Sequence, residues 1–534
     1  MLKKNNYFLL VLLLISFLPG ILAPEIVNPD SHVVMSHLLQ LDSISSYVSD
    51  LINLNTIDFQ PLRDASLYLD IFISNKFNLN ITVFHNLLVW FVVCLIIRKI
   101  TLKLFPKQTE RTSSLFLLLF ALHPLFSNTL LWGVARKHTL SLLFIMLATN
   151  EVLKELGTKR SFFKIGSLYF LSILSQPINL LWPAWGIYFL YKKKTRNLNY
   201  FIFIMMIVFA TGFGVNWYYY KYSSVFNLFY QSKLDGFYNI SDKVLALGHY
   251  FFQLILPLNL NYIYELGHWQ SLWGIPIGVL FIYFFIKKIK DLSFVLSWLL
   301  FGAGPLIIIT NTPNLLQDCY LLTPAFPFFV LLIKAFEDIN WEKKINKSAC
   351  LGLCLFFIFN NFIEAKNWIS LFDFTKQAFV RRPSCATAIK AGIIQFDEFG
   401  KIETNLRSYL ENYNCIKIDR NMTLTQVDSI LRFNSQVIYY ENTFNFYERE
   451  KLIQNMAQGS VIPYFYLLGL YAKTKSDEKF DNLLDEFRPK LNAKIDHFEK
   501  VVSRDIYPYC QTRKQNFCLE TLGRFIVRKK RIWL

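Results

Sequence analysis

The sequence predicts an α-helical polytopic membrane protein: a bundle of about 11 transmembrane helices followed by a C-terminal helical-repeat-like domain. Hydrophobic residues make up 53% of the 534 residues and the mean hydropathy is +0.31, which is more apolar surface than one soluble core needs. These residues fall into separate runs long enough to cross a bilayer. The formal net charge of +18 lies largely in short links between the runs. We therefore expect the charge to set membrane topology, and we expect no nucleic-acid partner.

The predicted spans are apolar runs close to the length, about 17 to 22 residues, that a helix needs to cross a bilayer. The first run follows Lys3 and Lys4 and ends in small residues, so a cleaved signal peptide is the alternative to a retained helix. We favour the retained helix because it would anchor the acidic loop that follows. The predicted spans are 7–23, 82–98, 115–133, 138–153, 163–178, 180–191, 199–217, 270–286, 292–310, 319–335 and 347–363.

Basic residues are concentrated in alternate links between the spans. The positive-inside rule places such links in the cytoplasm, so we predict a cytoplasmic N-terminus and, with an odd number of spans, a C-terminal part outside. Short loops favour a bacterial inner membrane and a periplasmic C-terminal domain, with the endoplasmic reticulum as the alternative. The basic links contain Arg98, Lys99, Lys103, Lys107 and Arg111; Lys154, Lys159, Arg160 and Lys164; Lys192, Lys193, Lys194 and Arg196; Lys287, Lys288 and Lys290; and Lys334, Lys343, Lys344 and Lys347.

Two large outer loops are expected in the membrane domain, residues 1–363. The loop 24–81 is rich in aspartate, and its basic residues are Arg63 and Lys76. The loop 216–268 contains the apolar stretch 244–256, which ends at Pro257 and is too short to cross. We predict a half-helix or an interfacial helix for this stretch on the outer face.

Residues 364–534 are predicted to form an outer helical domain, because the composition becomes polar and the chain is long enough for its own core. An even number of cysteines lies there, in a compartment that permits disulfides. If Cys385 opens one helix and Cys415 closes the next, an antiparallel pair brings them together and a bridge follows. Cys510 and Cys518 would close a short loop. Four reduced or buried thiols are the alternative.

A membrane enzyme that moves a group from a lipid carrier needs a carboxylate to accept a proton and cations or dipoles for the leaving phosphate. Asp30, shortly after the first span, is the candidate base, and an N-cap of the following helix is the alternative. Arg136 and Lys137 are the candidate phosphate contacts, and a pair that snorkels to lipid headgroups is the alternative.

The stretch from His123 to Lys137, HPLFSNTLLWGVARK, resembles the outer loop HPxHxExxxWxxxRK of the TMTC-type protein O-mannosyltransferases. These are membrane proteins of the GT-C glycosyltransferase fold with tetratricopeptide repeats. Further stretches resemble that family in the same order along roughly residues 1–400. They are Phe59-Gln60-Pro61-Leu62 with Leu69-Asp70 and Phe84-His85; Leu174-Ser175-Gln176-Pro177 with Pro183; Tyr250 with Pro257 and Leu260; Asp318-Cys319-Tyr320 with Pro324; and Trp368, Ala378 and Pro383.

The resemblance implies a GT-C-like domain at 1–363, a tetratricopeptide-like outer domain at 364–534, and a polyprenyl-phosphate sugar donor. It implies a catalytic Asp30 and adds Gln60, His123 and Asp318 to the candidate substrate-binding residues, although a histidine before Pro124 is also typical of capping or packing.

The sequence departs from the family pattern at several charged positions. No metal site and no cofactor are expected, because Phe126 and Asn128 replace two candidate ligands. The other departures are Pro29 for the first of two paired acids, His138 for the acid after Arg-Lys, Gln176-Pro177 for Lys-Glu, and Cys319 for an arginine.

Three functions remain open from the sequence. The first is a membrane glycosyltransferase that passes a sugar from a polyprenyl-phosphate donor to a protein or glycan acceptor. The second, favoured by the lost charges, is a non-catalytic scaffold whose outer domain binds a partner. The third, a transporter or flippase for lipid-linked sugars, is disfavoured by the acidic outer loop and by the absence of charge within the spans.

Overall fold

The computed structural model is almost entirely helical, and none of its described residues lies in a strand. The chain divides into two compact units, Met1–Ile369 and Ser370–Leu534. The described residues are 2–23, 38, 44–53, 59–77, 81–106, 110–154, 159–195, 197–222, 240–257, 260, 269–309, 317–336, 344–381, 383–399, 401–417, 424–440, 445–456, 462–487 and 506.

The first unit is built from helices joined by short 3₁₀ turns. The turns are Pro124–Phe126, Gly133–Ala135, Pro177–Asn179 and Asp318–Leu321. In chain order the helices are α1 (Leu2–Ser16), α2 (Leu18–Ile21), α3 (Ile44–Ile52), α4 (Pro61–Phe77), α5 (Thr82–Leu104), α6 (Glu110–Ala121), α7 (Ser127–Leu131), α8 (Arg136–Val152), α9 (Lys159–Ser175), α10 (Trp182–Lys192), α11 (Leu198–Tyr222), α12 (Ile240–Ile255), α13 (Trp269–Lys288), α14 (Leu292–Ile309), α15 (Leu322–Ala335) and α16 (Lys344–Asn367).

Four stretches in the described part of the chain are long and apolar enough to cross a membrane. They are Leu198–Tyr219, Ser271–Lys288, Asp318–Ala335 and Ser348–Asn367, and a bent pair of helices makes a fifth if it counts as one span. Some of the other predicted spans fall on shorter helices, such as the 11-residue α10, whereas 82–98 lies within the 23-residue α5. The described part of the chain thus contains four or five candidate spans, and the number of about 11 stays a prediction.

The long apolar helices differ in how much protein surrounds them. Only 17% of the residues of Leu198–Tyr219 are buried, whereas 78% of those of Asp318–Ala335 are buried. The exposed side chains of the first helix include Phe203, Met206 and Phe213. An apolar helix with an apolar outer face requires an apolar solvent, so this surface suits contact with lipid.

The predicted span 115–133 is broken in the middle. Ser114–Ala121 and Pro124–Leu131 meet at a bend of 44°, because Pro124 begins a new turn and cannot donate a backbone hydrogen bond. The carbonyl of Ala121 accepts from Trp90 Nε1 at 3.1 Å, and the carbonyl of Leu122 accepts from Asn361 Nδ2 at 2.8 Å. The broken helix end is thus satisfied by side chains of two other helices.

A helix forms where a half-helix or interfacial helix was expected, over Ile240–Ile255 and ending shortly before Pro257. It crosses α13 at glycines on both sides. A Cβ added at Gly274 would lie 1.6 Å from the carbonyl oxygen of Gly248, and one added at Gly248 would lie 2.1 Å from that of Ser271. Any larger residue would therefore force the two backbones apart.

The second unit contains helices that begin with reciprocal caps. Ser384 Oγ accepts from the Thr387 amide at 3.2 Å while Thr387 Oγ1 accepts from the Ser384 amide at 3.1 Å, and Asn445 and Glu448 exchange the same two bonds at 2.9 and 3.2 Å. The helices are α17 (Leu371–Arg381), α18 (Cys385–Phe399), α19 (Thr404–Asn412), α20 (Leu424–Tyr440), α21 (Phe446–Met456), α22 (Ile462–Thr474) and α23 (Asp477–Phe487).

The predicted Cys385–Cys415 bridge is present. Cys385 begins α18 and Cys415 follows α19, which is the helix-pair arrangement expected from the sequence. Nearby, the ring of Phe433 approaches the α-carbon of Gly392 so closely that an added Cβ would meet it at 2.5 Å. Cys510 and Cys518 lie outside the described residues.

Candidate functional site

A buried ion pair joins α4 to the start of α8. Asp70 Oδ2 accepts a hydrogen bond from Arg136 Nη2, although the two residues are 66 positions apart in sequence. Both side chains are 0% exposed. A buried charge is tolerated when an opposite charge and hydrogen bonds compensate its lost hydration, and this pair supplies both.

The remaining donors of Arg136 also end on protein oxygens. Nε donates to Asn86 Oδ1 at 2.5 Å, Nη2 donates to the carbonyl of Thr82 at 2.9 Å, and Nη1 donates to the carbonyl of Ser66 at 3.2 Å. Every nitrogen of the guanidinium therefore has a partner inside the protein. The substrate-binding role expected for Arg136 stays a prediction, and a direct contact to substrate would have to replace one of these bonds.

Asn86 links this cluster to the stretch that carries the strongest resemblance. Its Nδ2 donates to the carbonyls of Leu130 and Trp132 at 3.0 and 3.3 Å, while its Oδ1 accepts from Arg136. One amide thus fixes the backbone just before Arg136 and the guanidinium itself. Both the donor and the acceptor of a buried asparagine are used, as polar groups in a core require.

His85 shares the carboxylate of Asp70. Its Nδ1 lies 2.6 Å from Asp70 Oδ1, and its side chain is 28% exposed while that of Asp70 is fully buried. An ionised carboxylate only accepts, so Nδ1 carries the hydrogen and Nε2 is the nitrogen available for another partner. Among the described residues the structure gives Nε2 no partner. The cluster Arg136–Asp70–His85 therefore runs from a sealed cation to an accessible imidazole edge.

A second contact joins two other predicted positions. Asn128 Nδ2 donates to Asp318 Oδ2 at 3.0 Å across 190 positions of sequence, and both side chains are buried. A glutamate at position 128, as in the resembling pattern, would place two carboxylates together, which raises the cost of ionising both. The amide of Asn128 avoids that repulsion.

A third contact joins Gln60 to Gln176, whose side chains meet at 2.6 Å between Nε2 and Oε1. The carbonyl of Gln176 also accepts from Ser141 Oγ at 3.0 Å, and Ser141 Oγ accepts from Asn179 Nδ2 at 2.9 Å. The predicted position Gln60 thus belongs to a polar network that reaches across three segments of the first unit.

His123 has the structural role that was the alternative in the sequence. Its Nδ1 accepts from the Leu125 amide at 3.3 Å, and its ring packs against Phe357 with centroids 5.2 Å apart. Lys137 is half-buried and follows directly after the sealed Arg136. The next residue, His138, is buried with its ring edge against Tyr320 at 5.3 Å.

No protein-family model, no curated protein and no solved structure matches this chain.

Three predicted site residues each contact a residue of another stretch that carries the resemblance. Asp318 contacts Asn128, Gln60 contacts Gln176, and Arg136 contacts Asp70. Asp30, the predicted base, lies outside the described residues.

Sequence reasoning missed His85, Asn86 and Ser66 as partners of the cluster. Arg63, the arginine nearest to Asp70 in sequence, contacts Asp64 at 2.6 Å. The available signal was the joint occurrence of Leu69-Asp70, Phe84-His85 and Arg136-Lys137 in the resembling stretches.

Proposed function

We propose that this chain is a GT-C-like membrane glycosyltransferase related to the TMTC-type protein O-mannosyltransferases. It would transfer a sugar, with inversion, from a polyprenyl-phosphate donor to a protein or glycan acceptor outside the cytoplasm. Asp30 would take the proton of the acceptor hydroxyl. Lys137 would face the donor phosphate, and Arg136 would add positive charge from within its buried cluster.

One observation carries this proposal: motifs that are far apart in the sequence meet in space. The stretches that carry the resemblance are separated by up to about 190 positions in the chain. Yet Asp70 of one contacts Arg136 of another, Gln60 contacts Gln176, and Asn128 contacts Asp318. Unrelated chance matches would have no reason to pair in this way, so the pairing supports a common architecture.

Two departures from the family pattern offset each other in charge. The pattern has a glutamate where Asn128 stands and an arginine where Cys319 stands, and Asn128 binds the residue next to Cys319. Losing one acid and one base beside each other leaves the local charge unchanged. These two departures are therefore consistent with a functional site whose charges are rearranged.

The membrane orientation is part of the proposal. A Cys385–Cys415 bridge is typical of an oxidising compartment, and the basic residues of alternate links favour a cytoplasmic side opposite to it. Both support an N-terminus in the cytoplasm and a C-terminal unit in the periplasm of a bacterial inner membrane. The tetratricopeptide-like assignment of the helices from α17 to α23 belongs to the same proposal, since they follow one another as a series of short helices.

The test is a transfer assay with the full-length protein in liposomes. Radiolabelled sugars on polyprenyl phosphate, mannose first, are supplied with acceptor peptides and oligosaccharides, and the label released from the lipid is counted. We expect release by the wild type and none by Asp30→Asn, because asparagine preserves a helix cap but cannot accept the proton.

An absence of sugar release would favour the alternative function, a non-catalytic scaffold. If no sugar of the panel is released by wild-type protein, the glycosyltransferase proposal is wrong. The non-catalytic scaffold then remains, supported by the disulfide-linked helical unit. That unit has an apolar cavity of about 200 Å³ between α19 and α20.

A further inference from the structure

In the cluster around Asp70, His85 is the residue that both contacts the buried ion pair and has an exposed surface. Arg136 is sealed and Asp70 is fully buried, whereas the His85 side chain keeps 28% of its surface exposed. A ligand that approaches this cluster from solvent or lipid therefore reaches the imidazole, and the guanidinium lies behind it.

We propose that Nε2 of His85 is the direct hydrogen-bonding contact to the phosphate group of an anionic prenyl-phosphate ligand, with Asp70 and Arg136 as positioning residues. This inference rests on the proposed function and names the residue that touches the donor phosphate. The sequence favoured Arg136 and Lys137 for this contact. Because the Arg136 side chain is fully buried, His85 takes its place, while Lys137 keeps the proposed role of facing the phosphate.

The geometry defines which form of the imidazole binds. Nδ1 donates to Asp70 at 2.6 Å, so the ring cannot rotate away or exchange its nitrogens without losing that bond. When the ring is protonated, Nε2 becomes a second donor that points away from the carboxylate and suits a phosphate oxygen. Arg136 donates to the other oxygen of the same carboxylate, so the group that orients the ring is itself held in place.

Exposed apolar residues lie close in sequence to His85 and to its partner Asp70. Phe84 precedes His85, Leu69 and Phe72 lie on either side of Asp70 in α4, and all three side chains are exposed. Apolar side chains that face outward next to a polar contact can take a lipid chain while the imidazole takes the headgroup. The ligand class is therefore a phosphate ester of an apolar alcohol.

Binding can be measured without turnover. Wild-type protein in a non-ionic detergent is titrated with farnesyl phosphate, with inorganic phosphate and with farnesol, and binding is followed by the phosphorus NMR signal or by thermophoresis. We expect farnesyl phosphate to bind, and inorganic phosphate and farnesol to bind at least about tenfold more weakly, since each lacks one half of the contact. Equal binding of farnesol and farnesyl phosphate would overturn a phosphate site.

The decisive variant is His85→Gln, which keeps a polar side chain of similar reach but cannot carry a charge. Losing one charge-assisted hydrogen bond should weaken farnesyl phosphate binding by about tenfold or more. The matched control is Lys287→Gln, which removes an exposed cation at the end of α13 and should leave the affinity unchanged. Equal affinities of His85→Gln and wild type would overturn the inference.

The outcome is independent of whether transfer occurs. Binding that depends on His85 without any sugar release would leave the phosphate site standing and the glycosyltransferase proposal wrong. Sugar release by wild type and His85→Gln at equal rates and equal donor affinity would leave the glycosyltransferase standing and the role of His85 wrong.

Discussion

At the scale of single residues, Asp70 organises the centre of the first unit. One oxygen of its carboxylate faces Arg136 and the other faces His85, so a single side chain of α4 fixes residues of α5 and α8. The hydrogen bonds of Arg136 to backbone carbonyls add further fixed points. A network in which every buried member is satisfied is rigid, and removal of any one member leaves the others exposed to a large desolvation cost.

Asp70→Asn should destabilise the protein strongly. The substitution leaves the charge of Arg136 buried without a counter-ion, and breaking a buried pair from one side costs about 3 to 5 kcal/mol. Thermal unfolding in detergent measures the effect. The control is Lys164→Gln, because its pair with Glu151 at 3.0 Å is on the surface and such pairs contribute about 0 to 1 kcal/mol. Equal losses for both variants would contradict the prediction.

Tyr471 is expected to make the stability of the second unit depend on pH in the alkaline range. Its hydroxyl is buried beside Glu450 and donates to it at 2.9 Å, and burial, followed by this bond, raises the pKa of Tyr471 from 10.0 to about 12. Because the folded pKa is the higher one, the stabilising contribution is complete below pH 10 and is lost as the pH rises toward 12.

Tyr471→Phe should remove that part of the pH dependence. Denaturant unfolding of the full chain at a series of alkaline pH values should show a steeper decline for wild type than for the variant. Tyr413, which is 65% exposed, provides the control, since Tyr413→Phe should follow the wild-type curve. Identical slopes for wild type and Tyr471→Phe would show that the buried hydroxyl is not responsible.

At this scale the sequence predicted contacts between positions that are close in the chain or lie on successive helices, such as Cys385 and Cys415. His123 before Pro124 could be expected to cap the next turn, and it does. The partner of Asp70 could not be found in this way, because Arg63 is near in sequence while Arg136 is near in space. Hydrophobic periodicity identifies which face of a helix is buried but not which distant charge meets it.

At the scale of elements, the crossing of α12 and α13 depends on glycine. Gly248 and Gly274 face each other so closely that the carbonyl of one occupies the space of a side chain on the other. Between helices in an apolar solvent, packing at small residues replaces the hydrophobic effect as the source of association. The contact therefore holds α12 against α13.

Gly274→Ala should separate the two helices. Its methyl group would overlap the Gly248 carbonyl, and overpacking of this kind costs about 1 to 3 kcal/mol or more. Gly352 in α16 is the matched control, because no atom lies within 4 Å of a Cβ added there. Gly352→Ala should be neutral or stabilising by about 0.5 to 1 kcal/mol, since alanine is the better helix former. Melting temperatures in detergent measure both, and equal shifts would contradict the close crossing.

Several elements could be predicted from the sequence, although their continuity could not. The sequence predicts that the stretch 244–256 is too short to cross a membrane, and the structure has α12 there, beginning earlier at Ile240. The sequence also predicts one span over 115–133, whereas the structure has two helical segments that bend at Pro124. Mean hydropathy does not change across such a bend, so in the sequence the bend is indicated by the proline alone.

At the scale of the whole molecule, the division into two units accompanies a change in composition. The first unit carries the long apolar helices, while the second has two compact hydrophobic clusters of its own and a disulfide. The change in composition near residue 364 predicted this organisation. The GT-C-like assignment came from resemblance alone, because no feature of composition distinguishes one helical membrane bundle from another.

The disulfide should stabilise the second unit, and its presence in purified protein would indicate that this unit folds in an oxidising compartment. The bridge spans 30 positions, for which the loop-entropy estimate is about 3.7 kcal/mol. Replacing both Cys385 and Cys415 by serine should lower the unfolding free energy by about that amount and should abolish the mobility shift that reductant causes on a gel. Cys350→Ser, at a buried free thiol, serves as the control for the gel shift and should leave it intact. A wild-type protein without a shift would contradict both the bridge and the oxidising location.

The bend at Pro124 also has a consequence for biosynthesis. The carbonyl of Leu122 depends on Asn361, which is translated 239 positions later, and Ser127 donates to the same asparagine at 2.6 Å. Until α16 leaves the ribosome, this break has no such partner and its exposed backbone must rely on water or on the insertion machinery. We therefore expect truncated nascent chains that end before Asn361 to remain bound to the translocon and to be degraded readily when released.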